Sequence, residues 1–237
     1  MSGGHSVQVP DKPSRPDRLD RPYPLTRPER PARLVVLVSG RGSNLQAILD
    51  ACAQGELAGL AQVDAVISDN PEAQALDRAR AAGVPHVYAL DRRAFRGRTT
   101  YDQALDKLLN DLQPHLICLA GYMRLVAPVT VSRWRGRMLN IHPALLPAFP
   151  GLHAQRQAVE YGVRVSGCTV HLVDEGMDTG PILLQEPVPV YPTDTEETLA
   201  ARILSVEHRL YPAAIRLVLT RRWRLEGRKV VFEESEE

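Results

Sequence analysis

The chain has 237 residues, 44% of them hydrophobic and 24% charged, ordinary proportions for a globular protein with material for one large domain or two small ones. Its 29 basic and 28 acidic side chains nearly cancel, so no whole-chain field draws it to nucleic acid or to a membrane surface. No apolar run approaches the ~20 residues of a membrane span, and the N-terminus lacks a signal peptide's apolar core, so cytoplasmic residence is expected. Cys52, Cys118 and Cys168 form no C-x-x-C pair and are expected to be buried free thiols.

Residues 1–32 mix proline, arginine and aspartate with few apolar side chains; burial there cannot offset ordering entropy, and a disordered tail is expected. A single domain is expected over 33–237, ending in an acidic tail from about Glu233. Within it, strand-like and helix-like stretches alternate. RLVVLV (33–38) is a strand, followed by a helix from Ser43. VDAVIS (63–68) precedes a helix over 72–82, which Gly83 stops. HVYAL (86–90) leads to a helix from about Thr99 to Leu112. HLICLA (115–120) is uninterruptedly apolar, as a strand buried on both faces should be. RMLNIH (137–142) is followed by a proline-rich loop and a helix near His153 to Tyr161. Residues 164–173 and 181–190 read as two longer strands joined by a loop, hence antiparallel, and a last helix runs from Asp194 to about Thr220. Repeated βα units of this length predict an α/β fold, a doubly wound and mostly parallel Rossmann-like sheet with late antiparallel strands.

In such sheets ligands lie beyond the carboxyl ends of the strands. Four clusters fall there: Gly40 to Asn44, Ala120 to Val126, Asn140 to Ala154, and Asp174 to Pro181. The first is a strand–glycine–helix turn of the kind that offers N–H groups to phosphate. Leu45 stands where a dinucleotide fingerprint needs its third glycine, and no Gly-Lys-Ser/Thr follows, so neither a dinucleotide loop nor a P-loop is present. N-capping by Ser43 or Asn44 would by itself account for the helix start. Asn140 and His142, two apart on a strand, point to the same side; one supplies amide donors and the other exchanges protons near neutral pH. On residue types alone a structural histidine fits equally well, and Asp178, between Gly176 and Gly180, fits a turn. No H-E-x-x-H or ligand-spaced His/Cys cluster suggests a metal, and G-x-S-x-G is absent. Chemistry without a metal or a nucleophilic side chain would suit transfer between two bound substrates, with the protein supplying proximity, an oxyanion donor and proton exchange.

Taken together, SGRGSNLQAILDA, AGYMRLV, LNIHPALLPAFPGLHA and DEGMDTGP resemble the phosphoribosylglycinamide formyltransferases, a folate-dependent family of purine synthesis, and YD (101–102) and EHRLYP (207–212) fit as well. The resemblance runs from about Arg33 to the final helix. It implies that Asn140, His142 and Asp178 are catalytic in moving a formyl group from 10-formyltetrahydrofolate, a co-substrate, to the amine of 5-phosphoribosylglycinamide. It implies that Gly42, Ser43, Asn44 and Glu207 bind that acceptor. Folate would meet Arg98, Met123, Arg124, Leu125, Val126, Asn140 and the loop Asp174, Glu175, Gly176, Met177 and Asp178. For Arg98 a solvated charge and for His171 a packed or supporting role are the alternatives. Leu204 departs from the family, where a polar or basic residue is common, and Arg41 or a backbone group is expected to serve the phosphate there. Partners are expected to be small molecules, with neither nucleic acid nor membrane, and the enzyme a monomer or homodimer. Two related enzymes compete. A methionyl-tRNA formyltransferase would be expected to append a basic domain, and a formyltetrahydrofolate deformylase an N-terminal regulatory one. A non-catalytic binder on the same scaffold is the third alternative.

Overall fold

The computed structural model describes residues 31–233. In chain order it contains β1 (Ala32–Val38), α1 (Ser43–Gln54), β2 (Ala61–Ser68), α2 (Gln74–Ala81), β3 (His86–Ala89), a 3-10 turn (Arg92–Ala94) and α3 (Arg98–Leu112). Then come β4 (Leu116–Leu119), α4 (Pro128–Arg133), β5 (Met138–His142), α5 (Ala154–Tyr161), β6 (Val165–Leu172), β7 (Ile182–Pro189), α6 (Glu196–Thr220), β8 (Trp223–Glu226) and β9 (Lys229–Phe232). The first seven strands form one sheet in the order β3-β2-β1-β4-β5-β6-β7; β8 and β9 form a separate hairpin.

β1 shows why the sheet is a three-layer structure. Its side chains alternate, and both sets are buried: Leu34, Val36 and Val38 join a core with α1, α2, α5 and α6, while Val35 and Leu37 join another with α3 and α4. β4 divides the same way, Leu116 and Cys118 to the first core and Ile117 and Leu119 to the second. Each fully buried Leu or Ile side chain contributes roughly 1.5–3 kcal/mol of stabilisation. Apolar runs with no polar face are what a central strand covered on both sides demands.

β1 pairs in parallel with both β2 and β4, and β4 in parallel with β5. The winding direction reverses between β1 and β4, the place at the carboxyl edge where open α/β sheets form their ligand crevice. Antiparallel pairing begins one strand earlier than the sequence suggested: β6 runs against β5 as well as β7. That register sets Asn140 directly opposite His171, and His142 opposite Thr169.

Several boundaries differ from expectation. β1 starts at Ala32, which is buried and paired with Ala61, so the expected tail gives up its last residue to the sheet. Of that expected tail, 1–30 lie outside the described residues, as does most of the acidic C-terminus, 234–237; Glu233 still donates its N–H to the Arg222 carbonyl. α4 was not anticipated, although Pro128 at its first turn is a helix-start signal. Neither was the β8–β9 hairpin, whose Trp223 is fully buried in the larger core. α6 begins two residues after Asp194, capped reciprocally by Thr195 and Thr198. Cys52, Cys118 and Cys168 are free thiols, and no helix among the described residues is long and apolar enough to cross a membrane.

Candidate active site

At the end of β1 the chain turns through Gly42, which caps α1 in a left-handed conformation with φ 75°. A Cβ there would lie 2.6 Å from the Ala75 Cβ, so both backbone angle and space require glycine. Capping by Ser43 or Asn44 is not what the structure has: both lie inside the helix, and no side chain caps its first N–H groups. The first turn carries no acidic residue either, leaving an N-terminal dipole that favours an anion. Asn44 turns away from that end. It is buried and donates from Nδ2 to Glu207 Oε2 of α6 at 2.7 Å. Burial pushes the Glu207 pKa up, against the opposing pull of the Asn44 amide.

β5 ends with Asn140 and His142, and the loop after it is braced by Thr169. The Thr169 hydroxyl accepts from Leu146 N–H, donates to the Ala144 carbonyl, and meets Gln185. Asp178 reaches the same place from the loop after β6. Its Oδ2 accepts from Gly151 N–H at 2.7 Å and lies 3.3 Å from His142 Nδ1; its Oδ1 accepts from Asn140 Nδ2 at 3.3 Å. His171 closes the group, with Nε2 3.2 Å from Asn140 Nδ2.

Proton positions follow from what the partners can do. The Leu172 carbonyl, 2.8 Å from His171 Nδ1, only accepts, so that nitrogen carries hydrogen; Nε2 of the neutral ring is then an acceptor for Asn140. His142 has acceptors at both ends, the Phe149 carbonyl 2.8 Å from Nε2 and the Asp178 carboxylate at Nδ1. A neutral ring satisfies only one of them, whereas the imidazolium satisfies both. Burial nonetheless holds the His142 pKa below its usual value, outweighing the upward pull of Asp178 and the Phe149 carbonyl. For Asp178 burial pushes upward, but the neighbouring His171 and His142 rings and the Gly151 N–H together outweigh it and lower its pKa.

Next along the crevice is the 123–126 segment. Met123 donates its N–H to Ser39 Oγ at 2.9 Å, tying the loop after β4 to the loop after β1. Met123 and Leu125 are exposed, Val126 is buried, and the Arg124 guanidinium stacks 4.5 Å from the Tyr101 ring centroid. Arg98, opening α3, donates to the Leu125 carbonyl at 3.3 Å and pairs with Asp102 at 3.4 Å. In the 174–178 loop, Asp174 Oδ1 accepts from Gly176 N–H and from Thr179 Oγ1, Glu175 is exposed, and half-exposed Met177 packs its sulfur near Gly151.

β1, β4 and β5 are adjacent and parallel, so their carboxyl ends share one edge, about 10 Å apart from first to third at normal strand spacing. The buried Tyr211 of α6, four residues after Glu207, sets its hydroxyl 3.0 Å from the carbonyls of both Leu119 and Leu139. One helix thus touches the α1 turn through Glu207 and the strands carrying the other two clusters through Tyr211.

The sequence matches the formyl transferase family over residues 32–215. This chain belongs to the formyl transferase family. Among its relatives is the phosphoribosylglycinamide formyltransferase of Escherichia coli, 43% identical over 85% of this chain and 91% of that protein. The Mycobacterium tuberculosis protein of the same name is 48% identical over the same shares. The human trifunctional purine biosynthetic protein adenosine-3 is 45% identical over 80% of this chain, which spans only 18% of that longer protein. Drosophila melanogaster adenosine-3 is matched over 14% of its length. Of solved structures, the glycinamide ribonucleotide transformylase 1 of Symbiobacterium toebii superposes with TM-score 0.81 at 52% identity, covering 86% of this chain and 95% of that one. The Coxiella burnetii phosphoribosylglycinamide formyltransferase, solved in complex with CHES, gives TM-score 0.79 at 37% identity, covering 85% and 93%.

In this formyl transferase the structure brings together Asn140, His142 and Asp178 at one point, and Asn44 with Glu207 at another. Arg98 lies against Leu125, and Leu204 is a half-buried residue one turn before Glu207. Three groups at the His142 centre were not among the expected site residues: His171, the Phe149 carbonyl and the Gly151 N–H. The last two are backbone atoms, to which residue identity is blind. His171, for which the sequence suggested a packed or supporting role, is set opposite Asn140 by the register.

Proposed function

We propose that this chain is a phosphoribosylglycinamide formyltransferase, moving the formyl group of 10-formyltetrahydrofolate to the amine of 5-phosphoribosylglycinamide in de novo purine (IMP) biosynthesis. The observation that carries the reading is the meeting of Asn140, His142 and Asp178 two strands from an uncapped helix N-terminus. That spacing of about 10 Å suits a sugar phosphate whose anionic end and amine lie at its two extremes.

The Gly42–Ser43–Asn44 turn receives the monophosphate, using N–H groups of α1 and the Ser43 hydroxyl. Glu207, held by Asn44, faces the body of the acceptor. Leu204 cannot bond phosphate, and exposed Arg41, beside Gly42, supplies positive charge instead. Folate lies along 123–126 and under the 174–178 loop, where exposed Met123, Leu125 and Met177 offer apolar cover.

The acceptor's amine forms a bond to the formyl carbon, and the carbonyl electrons move onto oxygen. Asn140 and His142 donate to that oxyanion in the tetrahedral intermediate. Both are already held by exchangeable bonds: Asn140 Nδ2 sits 3.2–3.3 Å from two acceptors. Collapse breaks the bond between the formyl carbon and the folate nitrogen. The proton lost by the amine passes to that nitrogen, with Asp178 supporting His142 in the exchange.

A steady-state assay of the purified protein with and without the glycinamide acceptor tests this. Turnover is expected only with acceptor, and His142→Ala should lower kcat by about 10²–10³ with folding retained. Acceptor-independent formate release would point to a deformylase, binding without turnover to a non-catalytic binder, and near-wild-type turnover in His142→Ala would remove the catalytic assignment.

A further inference from the structure

The family match ends at residue 215, and the β8–β9 hairpin lies beyond it. Trp223 is buried at the start of this hairpin, and Leu225, Val230 and Phe232 pack against the same core, so the hairpin is seated on the body of the protein. Glu226 pairs with Lys229, leaving Gly227 and Arg228 as a two-residue turn. Gly227, at φ 60°, supplies the positive backbone angle such tight turns need. The turn delivers Arg228 to one place: its Nη2 donates to the Thr179 carbonyl at 2.5 Å.

Thr179 is the residue after Asp178. The backbone there is tightly constrained, because Asp178 is itself at φ 54° and a Cβ on Gly180 would fall 1.7 Å from the Leu172 carbonyl oxygen. Within the loop, Thr179 Oγ1 and Gly176 N–H both bond Asp174. Arg228 holds the loop backbone from outside, at the Thr179–Gly180 peptide, one residue past Asp178.

We propose that Arg228 is a positioning residue for the transfer reaction: the C-terminal hairpin grips the 174–180 loop through the Thr179 carbonyl and so fixes Asp178 against His142. This rests on the catalytic reading of Asp178. A misplacement of an ångström far from the reacting atoms can lower turnover by up to about 10²-fold, and loss of one exposed bond should cost part of that. A single carbonyl needs one cationic donor rather than a guanidinium fork, so lysine should substitute.

The experiment compares Arg228→Ala, Arg228→Lys and Arg224→Ala, the last removing a hairpin arginine that pairs within the hairpin, with Glu226. In Arg228→Ala, kcat should fall about 5- to 10-fold while KM for the glycinamide acceptor stays within about twofold and thermal unfolding is little changed. Amide hydrogen exchange in 174–181 should quicken. Arg228→Lys should recover most of the loss, and Arg224→Ala should match the parent. Unchanged kcat in Arg228→Ala overturns the proposal, as does a fall in kcat without faster exchange in the loop, or equal losses in Arg224→Ala. Full turnover in Asp178→Asn would instead remove the catalytic reading of Asp178, and this role with it.

Discussion

His142 has one proton to offer when neutral and two acceptors waiting for it, the Phe149 carbonyl and the Asp178 carboxylate. Burial nevertheless keeps its pKa below that of a free imidazole. The sign of the consequence is fixed. Between the depressed folded pKa and the unfolded value near 6.5, the unfolded chain binds a proton that the folded one refuses, so stability falls as pH drops below about 6.5. Once pH passes below the folded pKa the loss stops growing. Asp178, whose pKa is also lowered, stabilises above the unfolded carboxylate value, and that contribution disappears as pH falls through its folded pKa. Thermal unfolding of His142→Gln, measured from pH 7.5 to 5, should therefore show a flatter curve than the parent. His115 and His208 are lowered by burial too and remain in both proteins, so the difference isolates His142. Parallel curves would show that this ring is not the group burial holds neutral. At this scale the sequence singled out side chains that the fold brings together and was silent about their backbone partners. Asn140 and His142 announce themselves by alternation at a strand end, but nothing in the residue at 149 or 151 says that its carbonyl or N–H will meet them.

Among the elements, α1 and its entry turn bear the most weight in the proposed acceptor site. The capping side chain expected at Ser43 or Asn44 is replaced by Gly42, and the reason is steric: Ala75 of α2 sits where any side chain at 42 would go. Gly42→Ala should cost about 2–4 kcal/mol, combining a left-handed alanine with overpacking against Ala75, and should raise KM for the acceptor. Denaturant unfolding with parallel kinetics measures both, and a variant of unaltered stability would contradict the packing described. Strands β1 and β4 were legible because burial on both faces demands an unbroken apolar run. α4 and the β8–β9 hairpin were not, because six- and four-residue elements are too short for periodicity to emerge. The antiparallel turn of β6 against β5 depends on tertiary pairing, and it is this pairing that adds His171 to the site.

Across the whole molecule, the switch of winding between β1 and β4 is what makes two binding requirements compatible. In the proposed reading it opens one crevice whose floor is the aligned ends of three parallel strands, with the phosphate seated at one side and proton exchange at the other. α6 spans both, meeting Asn44 through Glu207 and the β4 and β5 carbonyls through Tyr211. The chain supplies no covalent nucleophile in this account; its contribution is to hold an amine against a formyl carbon and receive the charge that develops. The most direct test is a crystal structure of the protein with the glycinamide ribonucleotide and a folate analogue that cannot transfer its one-carbon unit. The account predicts the phosphate on the N–H groups at Gly42 to Asn44 and the amine about 3–3.5 Å from the analogue's formyl-equivalent carbon, beside Asn140 and His142. A phosphate bound away from that turn, or an amine directed away from His142, would contradict it.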